Sequence, residues 1–283
     1  HDEALGVLPR FLDAVGIEQG DAGAHEAIGD PALYAGAGVR TVEIATPEGA
    51  AESRDALPVL PLPLTQPAIA GAPDPANAGA IIASIERATA LALSGAVPAV
   101  VTNPISKAVL YSAGFRHQGH TDFLGALTRA APCEGPRGPV MMLTAGGLRV
   151  ALVTEHLPLH KVAAALTTEE IARKARVVAH GLSLDFGIAQ PRLAVAALNP
   201  HAGESGKIGD EEIRIIAPAV QTLIADGVAA RGPLPADTLF HAEAREKFDA
   251  VICMYHDQAL IPVKMLDFWG GVNVTLGLPI VRT

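Results

Sequence analysis

The chain has 283 residues, 49% of them hydrophobic, with 30 acidic against 21 basic side chains and a formal charge of −9. This is ample for one large α/β domain or two lobes sharing a cleft, and it excludes general disorder. There is no Lys/Arg block to neutralise a run of phosphates, no apolar run near the roughly 18 to 20 residues that span a bilayer, and no basic-then-apolar signal at the start, so a cytoplasmic protein without nucleic-acid or membrane partners is expected.

In chain order, the segment from Pro58 to Pro75, with LPVLPLPLTQP and AGAPDP, reads as a connection over the surface. AVPAVVTNP reads as a strand leading into a helix from about Ile105 to Ala113. PVMMLTA and LRVALVT, joined by Gly146 and Gly147, read as a hairpin. Thr167, with Glu170 three residues on, forms a capping box for a helix to about Gly181. RLAVAAL is the next strand and feeds the loop NPHAGESGKIG. In GDEEIRIIAPAVQTLIADG the acidic first turn and terminal Gly227 favour a helix, and FDAVICMY is the following strand. Strand-length runs alternating with helical segments indicate βα units and a mostly parallel sheet. The expected division is a first α/β lobe over 1–119, a second over 120–270, and a return of 271–283, including GVNVTL, to the first. A sequence that opens at His1 and stops at Thr283 directly after LGLPIV is expected to lack both natural ends.

Three of the ten histidines each close a strand-like run: His156 after LRVALVTE, His201 after RLAVAALNP and His256 after FDAVICMY. If these runs are parallel strands of one sheet, their carboxyl ends share the edge where open α/β sheets bind ligands. Three neutral imidazoles suit a borderline divalent ion with an open position, as in a catalytic site. A surface or satisfied core histidine is the alternative for each alone; His1, His25, His117, His160, His180 and His241 lack the strand-end setting and are read that way.

Other polar residues have two readings each. Thr121 in GHTDF, beside His120, is either a helix N-cap or a phosphate contact. Lys264 and Arg282 are either snorkelling cations or anion ligands. Asn273 alternates with Val272 and Val274 and can face a cleft; Asp237 in GPLPADTLF is a cap, a supporting partner or a proton acceptor; Lys107 is a solvated helix lysine or an anion contact. GESGK at 203–207 is not a P-loop, since His201 and Ile208 stand where glycine and a hydroxyl are needed. GAG at 36–38 does not complete a dinucleotide fingerprint. Cys133 and Cys253 read as ordinary thiols.

GHTDFL, TEHLPLHKV, LNPHAGESGKIGDEEI, GPLPADTLF, MYHDQALIPVK and GVNVTLGLPIVRT occur in this order from His120 to Thr283, with TNPISK upstream. This series resembles the PdxA family, the 4-hydroxythreonine-4-phosphate dehydrogenases of pyridoxal phosphate biosynthesis. The resemblance implies a two-lobed α/β/α subunit related to isocitrate and isopropylmalate dehydrogenases, with the active site in the interlobe cleft and at the contact of a homodimer. It implies that His156, His201 and His256 bind one divalent ion (Zn, Mg or Co) across that contact, that His120, Thr121, Lys264, Asn273 and Arg282 bind substrate, and that Asp237 lies at the reacting centre. The implied reaction is NAD-dependent oxidation of 4-phosphooxy-L-threonine followed by decarboxylation to 3-amino-2-oxopropyl phosphate, with Asp237 or Lys264 as base. NAD contacts are not assigned to residues. Two departures stand out: a GDPAGIGPE-like opening is replaced by HDEALGVLPRF, with only GDPAL at 29–33, and the SxDHGTA-like stretch with which family members continue past the Arg-Thr ending is expected to be part of the missing natural end. The rival readings are a sister dehydrogenase for a four-carbon aldonate phosphate or a dihydrodiol carboxylate, and, more distantly, a metal-dependent hydrolase or a non-catalytic metal-binding protein.

Overall fold

The computed structural model describes residues 26–283 apart from 37, 54, 70 and 118. HDEALGVLPRF, His1, His25 and the central residue of GAG lie outside the described residues. The chain forms two compact units, His1–Ala130 and Ala131–Thr283, a division that falls past the expected Gly119/His120 boundary and leaves GHTDF with the first unit.

In the first unit, β1 (Ala27–Gly29), α1 (Pro31–Gly36), β2 (Thr41–Glu43) and β3 (Leu57–Pro61) build a parallel sheet of order β1-β3-β2. The surface connection expected from Pro58 therefore needs correction: LPVLP is the central strand, with Val59 and Leu60 fully buried. Its prolines are tolerated because of where the ladder bonds fall. Leu57 and Leu62 donate to Arg40 and Gly29, and the Val59 carbonyl accepts from Ile44, so Pro58 and Pro61 stand at the two ends of the pairing, where a missing N–H costs little. After this come α2 (Ala78–Leu93), β4 (Ala99–Val100), α3 (Lys107–Ser112) and α4 (His120–Leu127). Ala78, Val109 and Leu110 form a small core with Ile81, Ile82, Ile105 and Phe115.

The second unit holds a six-stranded sheet made of β5 (Val140–Ala145), β6 (Leu148–Leu152), β7 (Arg192–Ala196), β8 (Ala229–Leu234), β9 (Ala250–Cys253) and β10 (Val272–Leu276), in the order β10-β5-β6-β9-β7-β8. β6, β9, β7 and β8 are mutually parallel, and the β5–β6 and β10–β5 pairings are antiparallel. The β5–β6 turn is the expected hairpin: Gly146 and Gly147 both take positive φ (53° and 78°), the conformation a two-residue turn needs to match strand twist. GVNVTL pairs with β5 rather than returning to the first unit. Its alternation explains this, because Val274 and Leu276 sit over one face of the second unit's sheet, in the core that also holds Val140 and Met142.

After the short α5 (Leu159–Ala165), that face is covered by α6 (Thr168–Leu184), whose N-cap Thr167 accepts from the Glu170 N–H at 3.1 Å, as the capping box requires. The helix passes through Gly181, the expected stop, because the glycine is a packing site: a Cβ there would meet Leu276 at 3.0 Å. The GDEEI segment opens with a π-turn, Glu212–Ile216, and continues as α7 (Ala217–Ala225), with Gly227 at φ 83° just past its end. The opposite face receives α9 (His256–Leu266), whose Ala259, Leu260 and Val263 join the strand residues Val150, Leu152, Ala194 and Cys253; a single turn, α8 (Ala242–Arg245), precedes β9. Burial on both faces accounts for the unbroken apolar run AVIC in β9. It also pushes the Cys253 thiol pKa up, in keeping with an inert cysteine. No described helix is long and apolar enough to cross a membrane.

The edge of the sheet carries an acid-sensitive tie. Asp249 accepts from the Arg192 backbone N–H at 2.7 Å and from its guanidinium at 3.0 and 3.1 Å. Hydrogen bonding to Arg192 holds the Asp249 carboxyl below its ordinary value, against the opposing effect of burial. A carboxyl whose pKa is depressed on folding adds stability that is fully present above its unfolded value of about 3.9 and is lost as the pH falls through the folded value. Melting temperatures of the native chain and of Asp249→Asn should therefore differ at pH 6, with the gap starting to close as the pH falls below about 3.9 and vanishing only below the depressed folded value. A gap that stays constant with pH would refute this assignment.

Candidate active site

The three strands that end in histidine are neighbours and run in parallel. β6 pairs with β9 from Val150↔Val251 to Leu152↔Cys253, and β7 pairs with β9 from Leu193↔Ala250 to Val195↔Ile252. Their carboxyl ends open on one edge of the sheet. Pairing continues past β6, with Val153 and Thr154 donating to Cys253 and Met254 and the Thr154 hydroxyl reaching the Met254 carbonyl at 2.7 Å.

His156 and His256 are brought together, their ring centroids 5.9 Å apart and the planes 45° to each other. His256 is the first residue of α9, and its Nδ1 lies 2.7 Å from Asp257 Oδ1. A carboxylate on Nδ1 fixes the tautomer and leaves Nε2 as the free lone pair, the arrangement typical of a metal-binding imidazole. His201 stands on the next strand end in a separate turn, where His201, Ala202, Gly203, Glu204 and Ser205 all have positive φ. Among the described residues, no three His, Cys, Asp or Glu side chains make a group that can hold an ion unaided.

Asp237 follows β8 on the short 3-10 turn Ala236–Thr238, and this turn approaches the His201 turn. Lys264 lies eight residues beyond His256 on α9, about 12 Å along the helix axis, exposed and with its ammonium 5.5 Å from the Phe268 ring centroid. Asn273 and Thr275 share one face of β10. Among the described residues Asn273 Oδ1 is buried without a hydrogen-bond partner, which is costly unless a ligand supplies a donor. Thr275 accepts from the buried Arg282 guanidinium at 3.0 Å, and burial lowers the Arg282 pKa. In the first unit, His120 and Thr121 open α4 behind Gly119, which makes no side-chain cap. Thr121 is therefore inside the helix and is not the N-cap. The Lys107 ammonium borders the same glycine, since a Cβ added to Gly119 would lie 3.8 Å from Nζ.

Against this geometry, the family model described as pyridoxal phosphate biosynthetic protein PdxA matches residues 23–283. The chain belongs to the PdxA family. It is 62% identical over 259 residues to a 4-hydroxythreonine-4-phosphate dehydrogenase of Caulobacter vibrioides, covering 90% of this chain and 78% of the relative. To the enzyme of that name from Maricaulis maris it is 55% identical over 236 residues, covering 83% and 69%. A crystal structure of 4-hydroxythreonine-4-phosphate dehydrogenase from Klebsiella pneumoniae superposes with a TM-score of 0.80 at 37% identity, covering 90% of this chain and 78% of that one.

In this PdxA-family chain the histidine junctions rest on a buried polar frame that strand-end reasoning misses. Gln258 accepts the Met254 N–H and donates to the Ala197 carbonyl, both at 2.7 Å, so one side chain joins the strand ends that lead to His256 and His201. Lys174, reaching from α6, donates to the Val153 carbonyl at 2.8 Å and lies 3.8 Å from Glu155. Burial lowers its pKa, opposed by Glu155 and Glu170. Glu212 accepts the Leu198 and Asn199 N–H groups at 2.8 and 2.7 Å. The available signal was a polar residue within an apolar helical face, as at Gln258 in HDQAL and Lys174 in IARKARVV.

Proposed function

We propose that this chain is an NAD-dependent, divalent-metal-dependent oxidoreductase that converts 4-phosphooxy-L-threonine to 3-amino-2-oxopropyl phosphate and carbon dioxide in the cytoplasm, within pyridoxal phosphate biosynthesis. The observation that carries the reading is the pairing of His156 with His256 at adjacent parallel strand ends, with Asp257 orienting the second ring. Imidazole donors suit zinc or cobalt, and magnesium can be admitted with substrate oxygens. His156, His201 and His256 would hold the ion. A homodimer completes the set, which agrees with two histidines rather than three being grouped in one subunit. The face next to the site is suited to a second copy: Ile261, Met265 and Trp269 are 61, 81 and 77% exposed on and just after α9.

When bound, the ion supplies Lewis acidity at the substrate hydroxyl and NAD takes up the hydride. Asp237 or Lys264 accepts the hydroxyl proton. Asn273 Oδ1 accepts from a substrate N–H or O–H, which relieves its buried, unpartnered state. Arg282, held by Thr275, and Lys264 bind phosphate or carboxylate as cations, and His120 and Thr121 add neutral or charged donors from the start of a helix. Fixing both ends of the substrate orients its carboxylate for loss once the β-keto acid has formed.

The test is NADH formation by the full chain with 4-phosphooxy-L-threonine, before and after chelation and with each ion restored. Metal-restored NADH with carbon dioxide release is expected. NADH only with a four-carbon aldonate phosphate or a dihydrodiol carboxylate would move the assignment to a sister dehydrogenase, and product without NAD would mark a hydrolase.

A further inference from the structure

We propose that Glu212 is a positioning residue for His201, locking the left-handed turn that presents this imidazole to the ion. The inference rests on the metal reading above. Glu212 is 3% exposed, and among the described residues its carboxyl group is paired with amides rather than with a cation. One oxygen accepts Leu198 N–H at 2.8 Å and Asn199 N–H at 2.7 Å, and the other accepts the Asn199 amide at 3.0 Å. The same amide reaches Glu211 at 2.7 Å. The residues so gripped are the ones immediately before Pro200 and His201.

The turn they feed is costly. His201, Ala202, Glu204 and Ser205 have φ of 52°, 53°, 45° and 58°, and each L-residue in the left-handed helical region costs roughly 1–2 kcal/mol. Such a run persists only where its surroundings over-determine it. Two bonds close the turn at its far end, Ile208 N–H to Gly203 at 3.1 Å and Lys207 N–H to Glu204 at 3.3 Å. The Glu212 carboxyl also fills the space beneath it, since a Cβ on Gly203 would lie 2.7 Å from Glu212 Oε2 and from the Gly209 carbonyl. A buried acid that has no cation among the described residues, and that is bonded to the backbone leading to a strained turn, acts through the residue which that turn carries.

The test titrates Co²⁺ into the chelator-treated full chain, read by calorimetry and by the visible absorption of the bound ion, for the native chain, Glu212→Gln and His201→Ala. Glu212→Gln should weaken Co²⁺ binding about 10- to 100-fold, with turnover recovered at saturating Co²⁺ and the KM for NAD unchanged. His201→Ala should weaken binding without that recovery. Native affinity in Glu212→Gln beside weakened His201→Ala would overturn the proposal alone, whereas native affinity in His201→Ala would overturn the metal reading itself. If Glu212→Gln does not fold, Asn199→Ala removes the amide link to both glutamates while the two backbone N–H bonds to Glu212 remain. The same loss of affinity is then expected, and its absence refutes the role.

Discussion

Replacing His256 by alanine should lower turnover about 10³-fold while leaving the fold intact. Lewis-acid stabilisation supplies several kcal/mol at a reacting oxygen, and each 1.36 kcal/mol is a factor of ten in rate. His256 is one of the two imidazoles held 5.9 Å apart, and it is the one whose Nδ1 is fixed by Asp257. On the proposed metal reading its removal takes away a preoriented donor as well as a ligand. The side chain is only partly buried at the first position of α9, so stability should change by no more than about 0.5 kcal/mol. The comparison is kcat at saturating substrate and NAD beside the melting temperature. A kcat within a few-fold of native would sink the metal assignment, and a collapsed melting curve would show that the residue serves the fold instead.

Gln258→Leu should be the most destabilising change in the polar frame. The substitution keeps the volume of a buried side chain but strands the Met254 N–H and the Ala197 carbonyl, each bonded at 2.7 Å in the native chain. A buried polar group left unpaired costs about 1–3 kcal/mol, so the two together should cost about 2–6 kcal/mol in urea denaturation. Because the bonds join the end of β9 to the end of β7, the variant should also weaken ion binding in the fraction that folds. A loss under about 1 kcal/mol would mean that the strand ends are held by the ladder alone.

Several features were legible because they depend on neighbours in sequence. Gly146-Gly147 specified its hairpin through the positive φ that both residues adopt, and Thr167 with Glu170 specified the start of α6 through a bond three residues long. The placement of His156, His201 and His256 after strand-like runs followed the same logic, since a residue just past a buried parallel strand sits at the carboxyl edge whatever surrounds it. The order of the motifs, from GHTDFL to GVNVTLGLPIVRT, carried the family.

Other features were settled by segments that meet only on folding. LPVLP resembles a proline-rich connection until β1 and β2 flank it, and its prolines then fall at the two ends of the pairing. GVNVTL joins β5 because the second unit's sheet offers its apolar residues a face. Gln258 and Ala197 are 61 residues apart, and Glu212 reaches back 13 and 14 residues to Asn199 and Leu198. The sequence by itself determined the helix cap, the hairpin, the parallel strands and the histidines at their ends, because local conformational preference and hydrophobic period act over a few residues. Only the tertiary structure decided which strands adjoin, which polar side chains hold their ends, and that His201 rides on a left-handed turn, because burial and hydrogen-bond satisfaction are set by partners that no local pattern names.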